Sequence, residues 1–205
     1  MTSSLPKGIQ DLVDHFSRLP GIGPKSATRH VLYLLQSSPY FQEQFGNALL
    51  RLANSVHYCK TCFHFADGDE CFICESPKRD REMICIVENS LDILAIEKTN
   101  AFRGRYFVLG GVLSPMNGIG PDNIRITPLL ERLREEKYHE VTEIILALPS
   151  TLEGEATANY LFQKVSGLFP TKHISRIARG IPLGSEIQYA DENTLSRAME
   201  GRQGY

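Results

Sequence analysis

Four cysteines fall as Cys59, Cys62, Cys71 and Cys74, two CxxC pairs with eight residues between them. A CxxC turn brings two thiolates onto one ion, and two such turns complete the closed tetrahedral sulfur site typical of structural zinc. The spacing therefore predicts one structural Zn2+ per chain with no open coordination position. His57 and His64 stand close enough in sequence to replace a thiolate, and an iron–sulfur cluster or two disulfides would use the same residues. A cytosolic character disfavours disulfides, and a redox CxxC needs only one pair. Cys85 sits in the apolar run Ile84 to Val87 and reads as a buried strand residue. Metal binding at so small a site supplies on the order of 10 kcal/mol of folding free energy, so residues 57–76 are expected to collapse without metal and to form a rigid joint with it.

A chain of 205 residues makes one moderate domain or two small ones. With 42% hydrophobic and 22% charged residues it has enough core material to exclude a disordered protein. Its 22 basic and 24 acidic residues leave a net charge of -2, which excludes a polybasic protein held to nucleic acid by bulk charge. The charge is unevenly spread. Residues 1–58 carry five basic and three acidic side chains, residues 59–80 three and five, and residues 81–172 ten and twelve. A basic end and an acidic middle suit an adaptor with DNA at its helical end and protein partners on its acidic domain. The longest strongly apolar run, Ile144 to Leu148, is far too short to span a membrane, and Met1 to Lys7 lacks a signal-peptide stretch. A cytoplasmic protein is expected.

Residues 1–56 read as three helices. Ile9, Leu12, Val13, Phe16 and Leu19 repeat at helical steps. A second helix is predicted over 24–36 with Ala27, Val31, Leu34 and Leu35 inward. A third is predicted over 40–56 with Phe41, Phe45, Leu49 and Leu52 inward, closing a small bundle. Beyond the cysteines, strands and helices alternate: strand 83–88, helix 90–98, strand 106–109, a helix with Thr127 as N-cap and Pro128 in its first turn, strand 142–148, helix 153–166 closed by Gly167, and strand 173–178. This order implies a parallel sheet covered on both faces. A short strand at 186–189 and a helix capped by Asp191 are expected in the tail. The fold class is thus a multi-module α+β and α/β chain with boundaries at 1–56, 57–80, 81–178 and 179–205.

The run Leu19-Pro20-Gly21-Ile22-Gly23-Pro24-Lys25-Ser26-Ala27-Thr28-Arg29 places two glycines in a tight turn just before a helix that opens on proline. Backbone N–H groups at such a helix start suit phosphate, and Lys25 and Arg29 share one helical face, with Arg18 nearby. Amides and cations read charge and shape, not base identity. The pattern resembles the helix-hairpin-helix of nonspecific DNA-binding proteins, with Gly21, Gly23, Arg18, Lys25 and Arg29 as its contacts. Pro24 between Gly23 and Lys25 breaks the spacing of a nucleotide-binding P-loop. Gly118-Ile119-Gly120-Pro121 repeats the tetrapeptide without following cations and reads as a loop, with Arg125 its nearest basic residue.

Glu88 at a strand end and Pro149-Ser150-Thr151-Leu152-Glu153-Gly154-Glu155 after a later strand put carboxylates at the carboxyl edge of a parallel sheet, where α/β proteins place ligands. This resembles the Toprim domain of topoisomerases and primases over residues 81–178. Pro149 and Thr151 stand where the Toprim motif has magnesium-binding aspartates, so phosphoryl chemistry is not expected. Glu88, Glu153 and Glu155 are left as a weak ion site or a partner-binding surface, or else Glu153 and Glu155 are simple helix-start acids.

The order of hairpin, four-cysteine site and degenerate Toprim domain, with Arg103 to Gly111 and Leu113-Ser114-Pro115 inside it, is similar to the RecR family of bacterial recombination mediators. The resemblance implies a nonenzymatic DNA-repair protein of the cytoplasm and nucleoid. It implies binding of single- and double-stranded DNA, ring assembly as a tetramer through both ends of the chain, and work with RecO and RecF to load RecA onto single-stranded DNA. By the resemblance, Lys25 and Arg29 contact DNA, the four cysteines hold zinc, Glu88, Glu153 and Glu155 face partners, and Ile187 to Asp191 matches a Walker-B-like run. A magnesium-dependent Toprim nuclease or topoisomerase-like enzyme, and a protein-only scaffold, are the alternatives.

Overall fold

The computed structural model describes residues 5–202 and Gly204; residues 1–4, Gln203 and Tyr205, at the ends of the expected first and last segments, lie outside the described residues. The chain divides into two compact units, Met1–Val56 and His57–Tyr205.

The first unit contains α1 (Lys7–Ser17), α2 (Pro24–Gln36) and α3 (Pro39–Ser55). Proline at the first helical position begins both α2 and α3, where its missing N–H costs nothing. Ser38 caps α3 by accepting from the Phe41 N–H. Helices α1 and α2 pack through Val13, Ala27 and Val31, flanked by Ile9, Phe16 and Ile22. The expectation of a closed three-helix bundle is corrected. Leu35 of α2 and Phe41, Phe45, Leu49 and Leu52 of α3 are exposed: α3 meets α2 at the Tyr33–Phe41 ring contact and the Gln42 hydrogen bond to Leu34 O, but its apolar stripe does not close onto the other two helices. An open groove of about 1030 Å³ remains, lined by residues that include Leu12, Phe16, Leu34, Leu35, Phe45 and Leu49.

The second unit opens with a small finger: β1 (His57–Tyr58) pairs antiparallel with β2 (Phe65–Ala66), and α4 (Phe72–Glu75) follows. Then come β3 (Met83–Val87), α5 (Ser90–Lys98), β4 (Arg105–Val108), α6 (Ile126–Arg134), β5 (Glu143–Ala147), α7 (Leu152–Leu168) and β6 (His173–Arg176). The four long strands form one parallel sheet in the order β4-β3-β5-β6. Alternation along β3 divides the core. Ile84 and Ile86 join Leu129 and Leu133 of α6 and Ala158, Leu161 and Val165 of α7. Cys85 and Val87 join Ile93 of α5 and, from the finger, Cys59, Cys62, Cys71 and Ile73. The finger is therefore part of the cover of the sheet. A backbone hydrogen bond from Val108 N–H to Cys62 O, 2.8 Å, fixes it there.

Several boundaries differ from expectation. Helix α6 begins at Ile126, with Arg125 at the cap position, so Thr127 does not cap it and Pro128 falls inside the first turn, where helix N–H groups have no intrahelical partner anyway. Gly167 does not close α7, which runs to Leu168. The expected strand at 186–189 is a 3-10 turn, Ile187–Tyr189, with no neighbouring strand to pair with among the described residues. Asp191 caps α8 (Glu192–Glu200), accepting from the Thr194 N–H. Among the described residues no helix is long and apolar enough to cross a membrane.

The exit of the finger is tied to the sheet by a half-buried triad. Arg79 pairs with Glu97 of α5 through both carboxylate oxygens, and the Tyr106 hydroxyl donates to the same carboxylate at 2.6 Å. The Arg79 hydrogen bond, reinforced by that of Tyr106, outweighs burial and holds Glu97 below its ordinary pKa. A carboxyl depressed on folding stabilises above its unfolded pKa, so this contribution is present above about pH 4.5 and is lost as pH falls through the lowered folded value. Removing one partner of such a pair strands the other charge. Glu97→Ala is expected to cost about 1–3 kcal/mol in urea denaturation at neutral pH and less near pH 3. Equal midpoints for the two proteins at neutral pH would contradict the account.

Candidate functional site

The hairpin between α1 and α2 closes with the Ile22 N–H donating to Leu19 O at 3.1 Å. Gly21 has φ +77°, in the left-handed region open to glycine, which lets the chain reverse in so few residues. Gly23 is the extended N-cap of α2, and the first N–H taken up by the helix is that of Ala27, onto Gly23 O at 3.0 Å. The N–H groups of Lys25 and Ser26 precede that ladder and remain available to an anion. Arg18, Lys25 and Arg29 are all exposed, and none forms an ion pair among the described residues. The turn and its flanking helices thus offer amide donors and three exposed cations outside any ion pair among the described residues.

The four cysteines converge. Their sulfur atoms all lie within 4.8 Å of one another, the one such cluster among the described residues, and Cys62 and Cys71 sulfurs are 3.5 Å apart. Four thiolates around a metal with bonds of about 2.3 Å would stand about 3.8 Å apart, so the donor set fits a tetrahedral soft-metal ion. Backbone N–H groups of Thr61, Cys62 and Cys71 point at the Cys59 sulfur at 3.3–3.4 Å, the outer support that a thiolate ligand needs. Hydrogen bonds from Cys62, Cys71 and Cys74 hold the Cys59 thiol far below its ordinary pKa. His57 is exposed and His64 is buried outside the cluster, so neither replaces a thiolate. Cys85 is buried in β3, and burial pushes its thiol up to about 12.

The acids at the sheet edge do not form one site. Glu88, just past β3, is half-buried, and its pKa is raised by burial and by Asp92. Glu153 is exposed in the first turn of α7. Glu155 is held by three arginines: Arg176 through two bonds of 2.8 and 2.6 Å, Arg179, and Arg197 of α8 at 3.6 Å. Burial raises its pKa, but hydrogen bonds from Arg179 and Arg176 outweigh it and the pKa falls. Glu155 therefore secures the tail to the sheet. Thr151, where a Toprim aspartate would bind metal, caps α7 by accepting from the Gly154 N–H at 3.1 Å. Gly154 is needed for the turn itself, since a Cβ there would lie 2.1 Å from Pro149 O.

Sequence reading missed a layer of arginines on aromatic rings that joins the finger to the sheet. Arg125 lies over the Tyr58 and Phe63 rings at 5.2 and 4.8 Å, and Arg132 over Phe63 and Phe107 at 5.7 and 5.8 Å. Arg125 is thus committed within the fold. The loop Gly118 to Pro121 is folded against Ser114 by a β-bridge at Ile119.

Family models match the chain in order: the RecR helix-hairpin-helix at residues 9–53, the RecR four-cysteine zinc finger domain at 56–76, the Toprim domain at 82–178 and the RecR C-terminal region at 180–203. Over 191 residues the chain is 49% identical to the recombination protein RecR of Parasynechococcus marenigrum, covering 93% of this chain and 96% of that protein. It is 45% identical to that of Tropheryma whipplei over 95% of this chain and 96% of the relative, and 46% identical to that of Streptomyces coelicolor over 95% of each.

Proposed function

The chain belongs to the RecR family of recombination proteins, and from that premise we propose that it is a nonenzymatic DNA-binding mediator of recombinational repair. The observation that carries the reading is the glycine hairpin with Arg18, Lys25 and Arg29 exposed and unpaired around free helix-start amides. Such a surface grips phosphates of single- or double-stranded DNA without sequence preference. In this reading Gly21 and Gly23 bring backbone to the phosphate, while the cations neutralise it.

The reading divides the chain at residues 1–56, 57–80, 81–178 and 179–205 into hairpin, finger, sheet and tail. The finger holds structural zinc in Cys59, Cys62, Cys71 and Cys74, and the ion serves the fold. Glu88 and Glu153 face RecO and RecF, with Glu155 acting through the tail it secures. With these partners the protein loads RecA onto single-stranded DNA in the cytoplasm and nucleoid. Catalysis by the Toprim module is disfavoured by chemistry, since Pro149 offers no side-chain oxygen, Thr151 is a cap and Glu155 is neutralised by guanidinium groups. The exposed α3 stripe supports ring assembly: a second copy would cover the groove at its foot. A ring that places several hairpins on one strand multiplies weak contacts into useful affinity. Light scattering of the purified protein is expected to give a tetramer mass that persists on oligonucleotide binding. A monomer mass in both conditions would remove the ring from this account.

A further inference from the structure

The finger exposes three aromatic rings on a segment whose sequence is strongly acidic. Tyr58 and Phe65 are a cross-strand pair with ring centroids 6.0 Å apart, and Phe72 stands on α4; their exposures are 58%, 47% and 63%. Buried His64 bridges the set beneath, 5.6 Å from the Phe65 ring and 6.2 Å from that of Phe72. Rings this open on so small a module are unusual unless something covers them. Residues 57–76 carry Asp67, Asp69, Glu70 and Glu75 against the single cation Lys60. Lys60 is already paired with Asp69, and Asp67 and Glu75 have no ion-pair partner among the described residues. A divalent ion on four thiolates adds about two more negative charges.

We infer that the exposed rings of Phe65 and Phe72, with Asp67 exposed two residues after Phe65 at the end of β2, form a docking surface for an arginine-bearing segment of a protein partner. Charge complementarity selects this occupant: a nucleic-acid strand would bring phosphates against uncompensated carboxylates, whereas a guanidinium gains from both carboxylate and ring. The fold already shows the contact at the next ring, since the Arg125 guanidinium lies 5.2 Å over Tyr58. The exposed faces of Phe65 and Phe72 extend that arrangement to an incoming chain. This inference is independent of DNA binding at the hairpin.

The test uses the full-length, zinc-loaded protein and a short fluorescent peptide of alternating arginine and leucine. Its charge-reversed control carries glutamate for arginine. The arginine peptide is expected to bind, the glutamate peptide not. Phe65→Ala with Phe72→Ala, and separately the exposed Asp67→Lys, are each expected to weaken binding at least about fivefold. Metal content equal to that of the parent establishes that the finger is intact, and Asp67→Lys keeps the test decisive if the ring variant loses metal. Binding of an oligothymidine is expected to stay unchanged in these variants. Equal peptide affinity in parent and variants would overturn the proposal. So would a loss of oligothymidine affinity, which would mean that the rings stack on bases, or a change of assembly mass, which would mean that a second copy covers them.

Discussion

Stripping the metal, or replacing Cys62 or Cys71 with serine, is expected to unfold residues 57–76 and to lower the thermal stability of the whole second unit. The four thiols supply that segment's own core, for it has little else: two strands of two residues and one helical turn. Structural zinc sites of this kind contribute on the order of 10 kcal/mol, comparable to the entire stability of a small domain. The effect spreads because Cys59, Cys62, Cys71 and Ile73 pack on Cys85, Val87, Tyr106 and Val108, so losing the finger bares one face of the sheet. Arg125 and Arg132 would also lose the Phe63 ring beneath them. Thiolates must be deprotonated to bind, so the same collapse is expected on acidification, at higher pH for weaker metal loading. Metal analysis combined with calorimetry, with and without chelator, checks this. A melting transition unmoved by complete metal removal would contradict it.

The parts of this protein that were legible in its sequence are those encoded by spacing. Two CxxC pairs specify the metal site; Gly21, Gly23 and Pro24 followed by Lys25 and Arg29 specify the hairpin; β-branched runs between helical periods specify the parallel sheet. Each signal lies within a dozen or so residues, over which local geometry is set by backbone preference and side-chain period. What stayed hidden joins distant segments. The Arg79–Glu97–Tyr106 triad, the hold of Arg176, Arg179 and Arg197 on Glu155, and the stacking of Arg125 on Tyr58 have no fixed spacing to announce them. They depend on strand order, and an arginine that will be buried looks in sequence like one that stays in water. The misjudged α3 has a related cause: its period identifies an apolar face, and only tertiary packing tells whether the helix's own unit covers it.

The central claim, that DNA is held at the glycine hairpin, predicts that Lys25→Glu with Arg29→Glu abolishes DNA binding while leaving the fold intact. Both side chains are exposed, and neither forms an ion pair among the described residues, so exchanging them strands no buried group. At the interface the change puts carboxylates against phosphate and sets two negative charges beside the helix start that attracts it. Neutral replacement grades the effect. For Lys25→Ala with Arg29→Ala the slope of log affinity against log salt should flatten by about 1.4 to 1.8 for each engaged subunit, because two fewer phosphates are neutralised. The most direct measurement is therefore a salt titration of oligonucleotide binding by fluorescence anisotropy for parent, alanine and glutamate proteins of equal metal content and assembly mass. The account predicts a steep slope for the parent, a shallower one for the alanine protein and no measurable binding for the glutamate protein. Identical affinities and slopes in all three would place the DNA elsewhere on the molecule.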